Sequence, residues 1–120
     1  MYTVIGTVKS RALRVIWMLE ELDVHSTAIL QYLADKHGQF THPAGTLDRA
    51  HQDSLTQFLL DEFDAALWMA ARHSFVLPEA LRQSGIKDSL KWEFERSQKI
   101  LVARMAHGPF LMGDRMTVPD

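Results

Sequence analysis

Apolar residues recur at helical spacing in the segment 24–38 and form one stripe there, made of Ala28, Ile29, Tyr32 and Leu33. Ser26 stands before the stripe and is a good N-cap, because its hydroxyl can accept a hydrogen bond from a backbone N–H one turn further on. Gly38 can take the left-handed conformation that ends a helix. The pattern therefore predicts a short capped helix, and the free N–H groups at its N-terminus suit a carboxylate or a phosphate.

The pattern before this helix changes from strand-like to helical. The run Tyr2–Ile5 is β-branched and aromatic, which predicts a short strand. A loop with two hydroxyls, Thr7 and Ser10, follows it. Apolar residues then share one helical face up to Leu22: Ala12, Val15, Ile16, Leu19 and Leu22. The loop and the helix N-terminus make a second candidate anion site. A lone strand needs a partner. Three alternatives are open: the segment 110–112, another chain, or a segment that is missing from this sequence.

The pattern after this helix is mainly helical. The glycines, proline and threonines of the segment 39–46 predict a linker. Two long amphipathic helices are predicted at Leu47–His73 and Lys87–His107, and Gly108 ends the second. Helices joined in this way are expected to pack as an antiparallel hairpin.

The last four residues carry the signal of a helix start. Thr117 with Asp120 three residues on resembles a capping box, and Pro119 suits a first helical turn. Because the predicted helix would lie beyond Asp120, we expect the sequence to be truncated at its C-terminus.

Composition narrows the class of protein. A hydrophobic content of 47% with 23% charged residues is typical of a globular domain. The formal net charge of −2 gives no electrostatic case for nucleic acid. The absence of cysteine excludes disulfides and thiolate metal sites, and the six histidines show no metal-ligand spacing. No signal pattern and no apolar run of ~20 residues is present, so we expect a soluble, cytoplasmic protein without membrane contact.

Three motifs in this order resemble the glutathione transferase family, of the bacterial type. They are the Leu-Glu-Glu-Leu run Leu19–Leu22, the Ser26–Leu33 segment with its Ala-Ile-x-x-Tyr-Leu pattern, and the pair Gly113-Asp114 followed by Thr117 to Asp120. The resemblance implies a mainly α protein in three parts: a partial thioredoxin-like, glutathione-binding domain at 1–38, a linker at 39–46, and a partial all-α C-terminal domain at 47–120. It also implies an internal deletion, because the family has a further strand, helix and β-hairpin, with a cis-proline that holds glutathione, before the Ser26 helix.

The resemblance also implies roles for four residues and a chemistry. In the family, a hydroxyl activates the thiol of glutathione as a thiolate, which attacks a small electrophile, a reaction used in detoxification. The position in the loop makes Ser10 the first candidate for that catalytic donor and Thr7 the second; the structural alternative for Ser10 is a helix cap. Ser26 would bind the γ-glutamyl carboxylate. His25 stands where the family has an acid, which is expected to weaken the contact with the γ-glutamyl ammonium group. Glutathione is thus the expected co-substrate, and no metal is expected.

Two functions follow from these observations. The first is a glutathione transferase-like enzyme, expected as a homodimer. The second is a non-catalytic helical remnant, chiefly the hairpin at 47–107, that associates with itself or with a full-length relative through exposed apolar faces.

Overall fold

The computed structural model describes residues 26–120, and this part of the chain is mainly helical. Its α-helices are α1 (Ser26–His37), α2 (Leu47–Leu59), α3 (Ala65–Ala71) and α4 (Ile86–Arg104). Two π-helical turns (Leu60–Asp64 and Arg72–Val76) and a 3₁₀ turn (Glu79–Leu81) complete the helical elements. The described residues contain no β-strand, only an isolated antiparallel bridge between Phe110 and Gly113. The predicted strand Tyr2–Ile5 and the predicted helix that ends at Leu22 lie outside the described residues.

Helix α1 runs from Ser26, the first described residue, to His37, and the N-cap role of Ser26 stays a prediction. The C-terminal end of the helix is where the local sequence predicts it. Gly38 follows with a φ of +64°, and the Gln39 N–H donates to the Ala34 carbonyl at 3.1 Å, which is the expected C-terminal chemistry. The buried face is narrower than predicted: Ile29 is 1% exposed, but Tyr32 is 43% exposed. The Lys36 ammonium lies 5.5 Å from the centre of the Tyr32 ring, so this aromatic side chain contacts its own helix.

The predicted helix Leu47–His73 is present but is not a uniform α-helix. Its N-terminus is capped by Thr46, whose Oγ1 accepts from the Arg49 N–H at 3.2 Å. The helical run then extends to Val76 through the two π-helical turns. A π turn holds more residues than an α turn, and so it rotates the side chains that follow it relative to the face that a regular 3.6-residue period would give.

The first π turn faces α4, and the two helical runs are antiparallel. Phe63 packs edge to face on Phe94 with ring centres 5.1 Å apart. Further towards the N-terminus of the first run, the Arg104 guanidinium lies 4.5 Å from the centre of the Phe58 ring. Residue numbers therefore rise along one helical run where they fall along the other. This arrangement is the predicted antiparallel hairpin.

Helix α4 ends at Arg104, three residues before the predicted His107. Its end is set by the following turn, because the Ala106 N–H donates to the Leu111 carbonyl at 3.2 Å instead of continuing the helix. Gly108 lies so close to this turn that an added Cβ would be 2.4 Å from the carbonyl carbon of Gly113. Only a residue without a side chain fits there.

The predicted capping box at Thr117 and Asp120 is formed in part. The Thr117 N–H donates to Asp120 Oδ2 at 2.8 Å, which is the expected contact of the acid. The threonine hydroxyl donates to the same oxygen at 3.0 Å, and the Asp120 N–H donates to the Thr117 carbonyl instead of the hydroxyl. The other carboxylate oxygen accepts the Leu111 N–H at 2.7 Å, so Asp120 also ties the end of the described chain to the turn at 110–113.

Large apolar side chains remain exposed on the helices. Trp92 is 64% exposed and Val102 is 70% exposed on α4, and Leu67 on α3 is 50% exposed. Among residues 26–120, no helix combines the length and the apolar character that a membrane crossing requires.

Candidate functional site

The N-terminus of α1 has the electrostatic character of an anion site. Its first turn contains no acidic residue, and its last turn contains Lys36 and His37. The first N–H groups of a helix have no partner within it, and the aligned peptide dipoles place partial positive charge at this end. The basic residues sit at the opposite, negative end. The first turn thus carries no negative charge that would oppose the predicted carboxylate site near Ser26.

The sequence-predicted site residues are described only in part. Thr7, Ser10 and His25 lie outside the described residues. Ser26 is placed by its backbone, as the first residue of α1. Their roles therefore stay predictions.

A polar cluster joins α1 to α2 and to the segment between them. It consists of seven residues that are linked by hydrogen bonds, and we call it the α1–α2 cluster: Gln31, Asp35, Thr41, His42, Arg49, Gln52 and Asp53. Sequence reasoning missed it. The available signal was a pair of polar residues, Arg49 and Gln52, one helical turn apart on the side of α2 that also carries Leu55 and Thr56.

Arg49 makes the ion pairs of the cluster. Its side chain is only 12% exposed. The guanidinium binds both carboxylate oxygens of Asp35, Nη1 to Oδ1 at 2.6 Å and Nη2 to Oδ2 at 3.1 Å. Its Nε donates to Asp53 on its own helix at 2.9 Å. A two-point contact between a guanidinium and a carboxylate fixes orientation as well as distance.

The charges of this pair stabilise each other. The hydrogen bonds that Arg49 donates hold the pKa of the Asp35 carboxyl below its ordinary value, against a smaller effect of burial. The hydrogen bond to Asp35 raises the pKa of Arg49 in turn. Both groups are therefore charged at neutral pH.

Gln52 is the buried centre of the cluster, with 0% exposure. Its Oε1 accepts the backbone N–H of His42 at 2.9 Å. Its Nε2 donates to Gln31 Oε1 at 3.2 Å and to Thr41 Oγ1 at 3.1 Å. One carboxamide thus links α1, α2 and the predicted linker, and its polar atoms are satisfied.

A concave region lies between the first π turn and α4, apart from the α1–α2 cluster. It is a cleft of about 550 Å³ whose lining includes Asp61, Glu62, Trp92 and Arg96. Glu62 accepts a hydrogen bond from the buried Ser97 hydroxyl at 2.8 Å, which gives this carboxylate a structural partner. Among residues 26–120, carboxylates and histidines nowhere form a group of three that could hold a metal ion.

Comparison with solved structures gives a clear similarity. A glutathione transferase homolog from Lodderomyces elongisporus, with two GSH per subunit, superposes on 80% of this chain with a TM-score of 0.66 and 24% sequence identity. This chain has a glutathione transferase fold. It spans about half of that protein, since the match covers 47% of the longer chain. No protein-family model matches the sequence, and no curated protein matches it. The glutathione transferase fold agrees with the mainly helical architecture of residues 26–120.

Proposed function

We propose that this chain is a glutathione-binding member of the glutathione transferase family, and that the N-terminus of α1 holds the γ-glutamyl carboxylate. The observation that carries the proposal is the structural likeness to a homolog that has two GSH per subunit. A second support is the electrostatic character of α1, whose first turn has no acid. In this proposal the Ser26 hydroxyl and the free backbone N–H groups of the first turn bind the carboxylate together.

The domain arrangement in this proposal is that of the family. Residues 1–38 form a partial thioredoxin-like domain, 39–46 a linker, and 47–120 a partial all-α domain. The protein acts in the cytoplasm as a homodimer, for which the exposed apolar side chains on the helices offer contact area. His25 replaces the acid expected beside Ser26, so the contact with the ammonium group of glutathione is weaker than an acid would give.

The proposed reaction is conjugation of glutathione to a small electrophile. A hydroxyl of the loop at 6–10, from Ser10 first and Thr7 second, donates a hydrogen bond to the glutathione sulfur. This contact lowers the thiol pKa from its ordinary value of ~8.5 and raises the fraction of thiolate. The thiolate forms a bond to carbon of the electrophile, which releases its leaving group or takes up a proton at the adjacent atom.

Binding is tested before turnover. Calorimetric titration of the wild-type chain with glutathione should give saturable binding that is weakened in Ser26→Ala. The matched control is Ser89→Ala, because the Ser89 hydroxyl is exposed on α4 and donates only to the Ile86 carbonyl of its own helix. Equal binding by both serine variants would contradict the role of Ser26. A wild-type chain that does not bind glutathione would contradict the proposal as a whole.

Turnover is tested with a general electrophile at a saturating concentration of glutathione. Loss of conjugation in Ser10→Ala, with glutathione affinity retained, supports the assigned donor, and the same result in Thr7→Val would assign the donor to Thr7 instead. Binding without conjugation would leave a glutathione-binding protein that is not an enzyme. Helicity that depends on protein concentration, without glutathione binding, is the result expected of the non-catalytic helical remnant.

A further inference from the structure

Two side chains of α1, one helical turn apart, attach this helix to α2. Asp35 binds the guanidinium of Arg49, and Gln31 accepts from the carboxamide of Gln52. Gln31 also donates to Asp35 at 3.2 Å, so the two anchors on α1 are themselves joined. Residues four apart lie on the same face of a helix. Two anchors on one face restrict both the direction of the helix axis and the rotation of the helix about it.

Asp35 lies too far from the N-terminus of α1 to touch a ligand bound there, so it can act only through the helix. Asp35 is nine residues from Ser26, which corresponds to about 14 Å at 1.5 Å per residue. A tilt of about 10° at Asp35 would displace the N-terminus of α1 by roughly 2 Å over this length. An error of ~1 Å in the position of a binding group can reduce its effect strongly. Loss of the contact between Arg49 and Asp35 would therefore change where the first-turn N–H groups point if it let the helix tilt.

We infer that Arg49 is a positioning residue for glutathione: it orients α1 so that the N–H groups of the first turn converge on the γ-glutamyl carboxylate. The inference rests on the proposed function. The geometry of Arg49 suits this task, because its side chain is 12% exposed and makes a two-point contact with Asp35. A lysine at this position would keep the charge but not the two-point contact, and so it would fix the distance without fixing the orientation.

The test pairs a change in Arg49 with a change in the ligand. The chain is titrated calorimetrically with glutathione and with γ-aminobutyryl-Cys-Gly, which lacks only the γ-glutamyl carboxylate. The variants are Arg49→Met and Arg49→Lys, and their folding is checked by circular dichroism at the titration temperature. The control is Lys91→Met, since Lys91 is 76% exposed and its ion pair with Glu95 on α4 is long, at 3.8 Å.

We expect Arg49→Met to weaken glutathione binding about tenfold and to leave binding of the carboxylate-free ligand unchanged, because the lost interaction is the one with the carboxylate. Arg49→Lys should weaken glutathione binding less and should also leave binding of the carboxylate-free ligand unchanged. If the methionine variant does not fold, the lysine variant is used for the comparison. The Lys91→Met variant should match the wild type for both ligands.

Three results would overturn the inference. Equal weakening of both ligands would assign Arg49 a purely structural role, and unchanged glutathione binding would leave it without any effect on the site. Both of these results leave the proposed function standing. Failure of the wild-type chain to bind glutathione is seen before any variant is made, and it removes the proposed function together with the inference.

Discussion

Replacing Gln52 by leucine removes the centre of the α1–α2 cluster while nearly conserving its volume. The substitution deletes three hydrogen bonds, to the His42 N–H, to Gln31 Oε1 and to Thr41 Oγ1. The position is fully buried, so water cannot replace the lost partners without a rearrangement. The His42 N–H suffers most, because Gln52 is its acceptor within the described residues.

The magnitude follows from these contacts. A buried donor left without a partner costs about 1–3 kcal/mol, and each ordinary hydrogen bond contributes about 1 kcal/mol net. The unpaired His42 N–H and the two other lost hydrogen bonds together give an expected loss of about 3–5 kcal/mol in the free energy of unfolding, out of the ~5–15 kcal/mol that single domains have. Urea denaturation of wild type and variant, followed by circular dichroism, measures this difference.

Thr41→Val is the matched control within the same cluster. Its hydroxyl accepts from Gln31, Arg49 and Gln52, but each of these donors has another acceptor: Asp35 for Gln31 and Arg49, and Gln31 for Gln52. The hydroxyl donates to the His42 carbonyl, which also accepts from Arg49. The valine variant leaves no group without a partner, because its lost contacts are shared ones, and should therefore lose less than Gln52→Leu, about 1–2 kcal/mol. Equal costs for Thr41→Val and Gln52→Leu, or an unchanged stability of Gln52→Leu, would contradict the special importance of the hydrogen bond between Gln52 and the His42 N–H.

Three further predictions concern other contacts. Because the folded-state pKa of Asp35 is lowered, its stabilising effect is complete above pH ~4 and is lost as the pH falls through the folded pKa, so Asp35→Asn should flatten the acid limb of a stability–pH profile. Gly45 has a φ of +84° with open space around it, so Gly45→Ala should lower the free energy of unfolding by about 1–2 kcal/mol in urea denaturation. Gly108→Ala should lower it by more, because the added Cβ would meet the Gly113 backbone. Equal losses would contradict this close approach. Ser97→Ala should lose about 1–3 kcal/mol by the same assay, and Glu62→Gln less, because the amide oxygen still accepts from the serine; the reverse order would contradict this hydrogen bond.

Features with a local cause could be predicted from the sequence. The C-terminal end of α1 follows from Gly38, whose positive φ is the conformation that glycine favours. The antiparallel hairpin follows from apolar periodicity in two long segments with a short connection. The contact of Asp120 with the Thr117 N–H follows from residue types three positions apart.

Features that depend on tertiary contacts could not be predicted in this way. No residue type marks the π turn Leu60–Asp64, and the regular period assumed for the whole run therefore missed the rotation that it introduces. The pair formed by Asp35 and Arg49 is 14 residues apart along the chain and lies on two helices, so its existence depends on how those helices cross. The same holds for Gln52: the helical pattern places it on the side of Leu55, but its partners on α1 and in the segment between α1 and α2 depend on how the helices pack.

In the proposed function, the N-terminus of α1 binds the γ-glutamyl carboxylate of glutathione. Backbone amide chemical shifts of the isotopically labelled chain, recorded during a titration with glutathione, test it most directly. We expect the largest shifts on the first-turn amides from Ser26 to Ile29, and we expect these shifts to be absent with γ-aminobutyryl-Cys-Gly. Shifts centred elsewhere in the chain, or the same first-turn shifts with the carboxylate-free ligand, would contradict it.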